Sequence, residues 1–213
     1  MKKIQFNWRG LIAILGFFAL WHFGVELDVA GFTQLPGPLE VISVLFTDFL
    51  FTSDYWQSWF ISFERVLWGF IIAQLLGIPL GLFLGASNLF RSIVYPVFEM
   101  MRPIPPLAWV PLSILFWPTN EASIIFITFI GAFFIITINV YEGVQSIKKE
   151  HIWLAQSLGA NRYRIFYSIM LPAVIPAVAV GMSLGIAVTW NVVIAAEMIA
   201  SDSGLGRLTW EGY

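Results

Sequence analysis

The sequence predicts an all-α transmembrane protein, a polytopic helical bundle with about five spans. Apolar residues make up 59% of the 213 positions and charged residues only 11%, against roughly 25% charged in soluble domains. The mean hydropathy is +0.82. The charges are clustered, which leaves long apolar stretches, and a bilayer core of roughly 30 Å needs about 20 apolar residues per helix. So few charges cannot cover a water-facing surface, which excludes a soluble domain.

Five apolar stretches are candidate spans. They cover about Gly10–Leu27, Val66–Ala86, Ile93–Trp117, Ala122–Tyr141 and Pro172–Ala200. The first resembles a secretory signal but lacks a small-x-small cleavage site, so we predict a retained helix. We divide the chain into a tail and first transmembrane helix (1–27), an external segment with an interfacial helix (28–65) and a core (66–213).

The positive charges predict the orientation, because loops rich in Lys and Arg stay in the cytoplasm. Lys2, Lys3 and Arg9 precede the first span. Basic residues also lie between spans two and three and between spans four and five, whereas acidic residues predominate in the alternate loops. We therefore predict a multi-pass protein of the bacterial cytoplasmic (inner) membrane with a cytoplasmic N-terminus.

Glycines spaced four apart predict close helix contacts. They are Gly77, Gly81 and Gly85 in the second span and Gly181 and Gly185 in the last. Residues four apart share a helix face, and small side chains let a neighbouring helix approach closely in a membrane. The contact could lie within one subunit or between two.

The third span is rich in proline, which predicts a broken helix. The prolines are Pro96, Pro103, Pro105, Pro106, Pro111 and Pro118. Each internal proline removes a backbone donor, and non-helical backbone at membrane depth must be buried in protein or line a wet cavity. Glu99 and Arg102 lie here three residues apart and can pair. The segment is either part of a pathway or an anchor at the interface.

Three further polar residues lie within or near the ends of the spans, namely Asn139, Asn191 and Glu197. Polar groups within membranes tend to face interiors or cavities. For each of the three, pathway lining and structural hydrogen bonding remain open alternatives. Together with Glu99 and Arg102 they are the candidate lining residues of a translocation pathway.

The loop at 142–171 is predicted to be cytoplasmic and to contain two short helices. Lys149–Leu158 carries apolar residues at helical spacing, and Gly159 stands where a left-handed turn ends a helix. Asn161 is a good N-cap for a second helix, and Pro172 opens the last span. An apolar patch on such a loop indicates either a docking site for another protein or a membrane-surface helix.

This loop resembles a known motif. The run Trp153-Leu154-Ala155-Gln156-Ser157-Leu158-Gly159, with Ile169-Met170-Leu171-Pro172 after it, resembles the EAA loop of binding-protein-dependent ABC importer permeases. That motif reads E-A-A, three residues, G, nine residues, I-x-L-P. Other segments resemble the nitrate/sulfonate/taurine branch of this family. They are 62–70 (SFERVLWGF), 77–81 (GIPLG), 102–108 (RPIPPLA), 196–198 (AEM) and 203–206 (SGLG).

The resemblance implies a dimer of permeases, a separate ABC ATPase subunit and a periplasmic or lipid-anchored solute-binding protein. It also implies that the loop's first helix docks on the ATPase. The residues to which we carry this coupling role are Trp153, Ala155, Gln156, Ser157, Leu158, Gly159, Ala160, Ile169, Leu171 and Pro172. The substrates implied are small anions or similar solutes, of the nitrate, sulfonate, taurine, bicarbonate or thiamine-precursor type.

The sequence departs from the family pattern in two places. Trp153 replaces the leading glutamate of the motif, and Leu154 replaces its first alanine, so the docking surface is expected to differ. The family has six spans where five are predicted here, so a final span is expected to be missing.

The composition also limits the chemistry. There is no cysteine and there are only two histidines, so we expect no catalytic residues, no metal site and no cofactor. The sequence has no G-x-x-x-x-G-K-[ST] phosphate-binding loop, so ATP is expected to bind a partner subunit, and no nucleic-acid partner is expected. The expected function is a permease subunit rather than an enzyme. The alternative is a secondary transporter or another polytopic protein without an ATPase partner.

Overall fold

The computed structural model describes residues 8–32 and 35–212, and over these ranges the chain is helical with connecting turns and no strand, which confirms the all-α prediction. The helices are α1 (Trp8–Glu26), α2 (Pro38–Val44), α3 (Ser53–Ala86), α4 (Asn88–Met101), α5 (Val110–Phe116), α6 (Asn120–Gln145), α7 (Lys149–Ser157), α8 (Arg162–Ile165), α9 (Leu171–Ala200) and α10 (Leu205–Glu211). A 3-10 helix occupies Pro106–Trp109, and π-helical turns occupy Leu45–Phe49 and Phe166–Met170. The chain divides into two compact units, Met1–Trp56 and Gln57–Tyr213.

The first unit contains α1 and the helical segment that begins at Pro38. Most apolar side chains of α1 are exposed, as expected of a helix that lies in lipid. Gly24 is buried because the ring of Phe32 packs on it. Proline is well suited to the first turn of α2, where its missing N–H would have no intrahelical partner. Lys2 and Lys3, which supported the predicted orientation, lie outside the described residues.

In the second unit, α3 packs against α6 along a stripe of small residues. The stripe occupies every fourth position of α3: Gly69, Ala73, Gly77, Gly81 and Gly85. A Cβ atom on Gly81 would lie 2.6 Å from the backbone oxygen of Thr137, and one on Gly85 would lie 2.4 Å from the Cβ of Val144. These distances leave no room for a side chain. The predicted glycines of the second span therefore lie at a contact between two helices of the same chain.

The long helix α9 packs against α6 in the same way. A Cβ atom on Gly181 would lie 3.0 Å from the Cβ of Asn139, and one on Gly185 would lie 3.2 Å from the side chain of Ile136. Gly143 of α6 receives Ala177 of α9, whose methyl group would lie 2.5 Å from an added Cβ. Because both long neighbours pack closely against it, α6 is the central helix of this unit.

The close contact at Gly81 leads to a stability prediction. We expect Gly81→Ala to lower the free energy of unfolding by about 1–3 kcal/mol, the usual cost of overpacking, because backbone atoms of α6 must move. Gly16→Ala is the matched control, since no described atom lies within 4 Å of a Cβ at Gly16. The thermal unfolding midpoint of each detergent-solubilised variant is measured, with size-exclusion chromatography as the readout of folded chain. Equal midpoints for the two variants would contradict the packing role.

The predicted third span is not one helix. Helix α4 ends at Met101, the backbone turns at Arg102–Pro105, and a 3-10 helix leads into α5. Pro111 stands in the first turn of α5, where it is tolerated, and Pro96 lies inside α4. The predicted break is thus present between α4 and α5. The prolines remove the donors that a continuous helix would need.

Four helical segments in the described part of the chain are long and apolar enough to cross a membrane. They are Trp8–Glu26, Ser53–Ala86, Asn120–Gln145 and Arg162–Ala200. They correspond to predicted spans one, two, four and five. The helix of the second span begins at Ser53, thirteen residues before the predicted Val66. The prediction began too late because the first part of this helix carries charged residues, which hydropathy alone places in a loop.

Candidate functional site

The predicted loop forms two helices joined by a tight turn. Helix α7 ends in a hydrogen-bond pattern in which the N–H of Ala160 donates to the carbonyl of Ala155 (2.9 Å) and the N–H of Gly159 donates to that of Gln156 (2.9 Å). This is a Schellman motif, which requires a left-handed residue after the helix, and Gly159 has φ = +81°. Asn161 then caps α8, since its Oδ1 accepts from the N–H of Arg164 at 2.9 Å.

The turn presents a cluster of exposed apolar side chains, which we call the loop knob: Trp153, Leu154, Leu158 and Tyr163. Leu158, at the tip, is 80% exposed, and Trp153 is 59% exposed. Ala155 and Ala160 are half-buried beneath the turn, while Gln156, Ser157 and Gly159 are exposed. Exposed apolar side chains on a rigid turn are typical of a surface that another protein covers.

The rest of the predicted motif connects the knob to the membrane helix. Ile169 is half-buried in the π-helical turn that precedes α9, while Leu171 and Pro172 form the exposed first turn of α9. Ile165 of α8 is buried and fixes this helix to the unit. A displacement of the knob would therefore reach α9 through one continuous helical segment.

A second site, which we call the ion-pair network, lies near the other end of α9. Arg65 of α3 and Glu197 of α9 are 2% and 0% exposed, and Arg65 Nη1 lies 2.8 Å from Glu197 Oε1. The Oγ of Ser62 lies 2.8 Å from both carboxylate oxygens of Glu197. On the other edge of the guanidinium, Arg65 Nε donates to Glu121 Oε2 at 2.8 Å and Nη2 contacts Oε1. Arg65 thus joins α3, α6 and α9.

The network also fixes the turn between α9 and α10. Arg65 Nη1 donates to the carbonyl of Ser203 (2.9 Å), and the N–H of Gly206 donates to Glu197 Oε2 (2.9 Å). Gly204 has φ = +106°, and a Cβ atom there would lie 2.5 Å from the carboxylate of Glu197. Both glycines therefore allow the backbone to lie directly on a buried carboxylate.

The contacts of Glu197 favour a structural hydrogen-bonding role. Its carboxylate is fully buried and accepts hydrogen bonds from Arg65, Ser62 and Gly206. We therefore place Glu197 in the ion-pair network, and its role in a pathway stays a prediction. Arg65 was missed at the sequence level because it was counted as a charge of an external loop.

The two sites lie at opposite ends of α9. Leu171 and Glu197 are 26 residues apart in that helix, which corresponds to about 39 Å along the axis at 1.5 Å per residue. This exceeds the roughly 30 Å of a bilayer core. The loop knob and the ion-pair network are therefore expected to lie on opposite sides of the membrane.

The other candidate pathway residues differ in their surroundings. Arg102 Nε lies 3.3 Å from Glu99 Oε1, with side chains 41% and 37% exposed, and Arg102 borders a cavity of about 330 Å³ that Ile104 and Pro106 also line. Asn139 is half-buried and donates to the carbonyl of Ile135 (2.8 Å). Asn191 is exposed and donates to that of Ala187 (3.0 Å). The pathway role of these four residues stays a prediction.

Residues 77–213 match the model of the family described as binding-protein-dependent transport system inner membrane component. The chain belongs to this family. It is therefore a permease subunit of an ABC transport system, an integral protein of the inner membrane, and the predicted resemblance is confirmed. The family supplies a membrane component, so ATP hydrolysis belongs to a separate subunit.

Named relatives of the permease agree with this assignment. The taurine transport system permease protein of Escherichia coli is 32% identical over 92% of this chain and 72% of its own length. The bicarbonate transport system permease protein of Synechococcus elongatus is 33% identical over 95% of this chain and 76% of its own. The nitrate import permease protein of Leptolyngbya laminosa is 35% identical over 75% of this chain and 57% of its own.

Proposed function

We propose that the permease imports a small anion or a similarly small solute, of the nitrate, sulfonate, taurine, bicarbonate or thiamine-precursor type. The proposal is supported by the named relatives, which transport taurine, bicarbonate and nitrate. Arg102 borders a cavity in the broken segment. Its positive charge would attract an anion that passes through this segment. In this proposal Glu99, Arg102, Asn139 and Asn191 line the pathway.

The loop knob is proposed to couple the permease to the ATPase. The observation that carries this proposal is the rigid Schellman turn with its 80% exposed Leu158 at the tip. An apolar side chain of this size gains free energy on burial, about 1.5–3 kcal/mol when complete, and a protein partner supplies such burial. The loop is then cytoplasmic, which agrees with the predicted cytoplasmic N-terminus and places the ion-pair network outside, towards the solute-binding protein.

A second copy of the chain is proposed to cover the free face of α9. In the apolar window of the Arg162–Ala200 segment 17% of residues are buried, against 61% in α6. The exposed face includes Ser183, Leu184, Ala187 and Asn191, and two of these are polar. A pathway between two such faces would give the polar side chains an aqueous environment, which they lack in lipid.

Co-purification tests the coupling proposal. We expect tagged chain, extracted in mild detergent from native membranes, to retain an ABC ATPase that mass spectrometry identifies. Leu158→Asp is expected to lower ATPase recovery at least tenfold, because a carboxylate would enter the apolar contact. Leu158→Met is the matched control and should retain the ATPase, since it keeps an apolar side chain of similar volume.

Size-exclusion chromatography distinguishes a loss of ATPase binding from a folding defect. Leu158 is 80% exposed, so both variants should elute from size exclusion as the parent does. An ATPase recovered equally with Leu158→Asp would contradict the coupling role of the knob. A folded parent chain that recovers no ATPase would contradict the proposed stable contact between the knob and the ATPase.

A further inference from the structure

A large cavity lies beside the loop, and Gln156 and Tyr163 of the coupling loop form part of its wall. It is open to its surroundings and has a volume of about 1000 Å³ between the α3–α4 turn and the helices of the loop. We call it the basic cavity, because three cationic residues from three helices line it: Arg91 of α4, Lys149 of α7 and Arg162 of α8. Among the described residues that line it, none is acidic.

The cations of the basic cavity lack compensating charge. In the part of the chain that the structure describes, no ion pair involves Arg91, Lys149 or Arg162, although Arg91 donates to Asn88 Oδ1 at 2.8 Å. Lys149 is also the first residue of α7. A cation at a helix N-terminus is unfavourable because the helix dipole is positive there. An anion bound among the three cations would reduce the repulsion between the cations and the repulsion between a cation and the helix dipole.

The remaining walls are amphipathic. Polar groups come from Ser87, Asn88, Gln145 and Gln156, and apolar surface comes from residues that include Phe83, Phe166 and Met170. A phosphate ester with an attached glycerol or acyl portion has the same division between a charged and an apolar part. A purely inorganic anion would leave the apolar walls unused.

We infer that the basic cavity binds a phosphate-bearing anion, with Arg91, Lys149 and Arg162 as its ligands. Two sources share this chemistry, the headgroup of an anionic phospholipid and a soluble phosphate ester. The choice of membrane leaflet rests on the proposed function, but the binding site does not. Since the cavity joins the α3–α4 turn to α7, its occupant would hold the loop helix against the membrane helices.

Lipid titration of the purified full chain tests this inference. The probe is palmitoyl-oleoyl-phosphatidylglycerol, with phosphatidylcholine of the same acyl chains as the zwitterionic comparison, and native mass spectrometry counts the bound lipid. We expect Lys149→Gln combined with Arg162→Gln to weaken phosphatidylglycerol binding about 30-fold, on the order of fivefold for each cation removed near an anionic group. Arg91→Gln alone, outside the loop, should weaken it about fivefold.

The neighbouring cations supply the matched control. Lys148→Gln combined with Arg164→Gln changes the net charge equally in the same loop. All four loop cations are exposed, but neither Lys148 nor Arg164 lines the basic cavity. The affinity of this double variant for phosphatidylglycerol should stay within about threefold of the parent's, a smaller change than the loss of one direct contact would cause. Equal weakening in both double variants would show attraction by surface charge alone and overturn the inference, as would equal binding of the two lipids.

A soluble competitor identifies the source of the anion. Glycerol 1-phosphate that displaces the lipid, with the same dependence on Lys149 and Arg162, would support the site and indicate a soluble ester. Failure of glycerol 1-phosphate to compete, together with cavity-dependent lipid binding, would indicate the headgroup. Binding is measured without ATPase or substrate, so a failure here is distinct from a failure of the proposed transport function.

Discussion

Arg65→Met is expected to destabilise the permease by about 3–5 kcal/mol, the cost of leaving one member of a buried ion pair without its partner. Glu197 is fully buried, and without Arg65 its carboxylate would keep, among the described residues, the hydrogen bonds from Ser62 and Gly206. A native protein has about 5–15 kcal/mol of stability in total. The measurement is the yield and thermal midpoint of monodisperse chain in detergent.

Two further variants separate this cost from a general effect of lost charge. Glu121→Gln removes the other carboxylate contact of Arg65, but the Glu121 side chain is 58% exposed, so a loss of about 0–1 kcal/mol is expected. Arg65→Met combined with Glu197→Met replaces the pair by apolar side chains of similar length and should recover most of the stability. A double variant as unstable as Arg65→Met would contradict the unpaired-carboxylate mechanism.

The ion-pair network shows where sequence reasoning reached its limit. Arg65 and Glu197 are separated by 132 residues, and nothing in local patterning pairs them. Hydropathy placed Arg65 in a loop because charges normally end a span. Two segments that resemble the family, 62–70 and 203–206, contain residues of this network. The resemblance marks both segments but does not predict that they are in contact.

Features with a local physical cause were predictable. The four-residue spacing of Gly77, Gly81 and Gly85 directly specifies one helix face, and that face packs on α6. The prolines around Arg102 lack the backbone donors of a continuous helix whatever their surroundings, so the sequence alone predicts the break between α4 and α5. By contrast, whether a polar residue such as Asn139 lines a cavity depends on which helix faces it.

The two sites together define how the permease could transmit motion. The ion-pair network ties α3, α6, α9 and the following turn together near one end, whereas the loop knob lies at the other end and projects from the chain. A contact at the knob would therefore act on a helix that the network holds near Glu197 and that packs on α6 at Gly181 and Gly185.

The conformation of Gly159 should control coupling more than its size does. Its φ of +81° lies in the left-handed region, and no described atom lies within 4 Å of a Cβ placed there. A side chain at this position therefore meets no clash, and its cost comes from the backbone, about 1–2 kcal/mol for an L-residue. Asparagine adopts this region more readily than other non-glycine residues, while a β-branched residue is a genuine outlier there.

We therefore expect a graded series in ATP-driven uptake by the reconstituted complex: Gly159→Asn within about twofold of the parent, Gly159→Ala lower, and Gly159→Val reduced at least tenfold. A cost of 1.4 kcal/mol corresponds to about tenfold in the population of the native turn, and valine should exceed it. The Schellman hydrogen bonds from Ala160 and Gly159 would break, and the knob would lose its fixed position. Equal uptake by the asparagine and valine variants would show that the left-handed turn is not needed for coupling, whereas equal loss in both would indicate that the ATPase contacts the glycine surface itself.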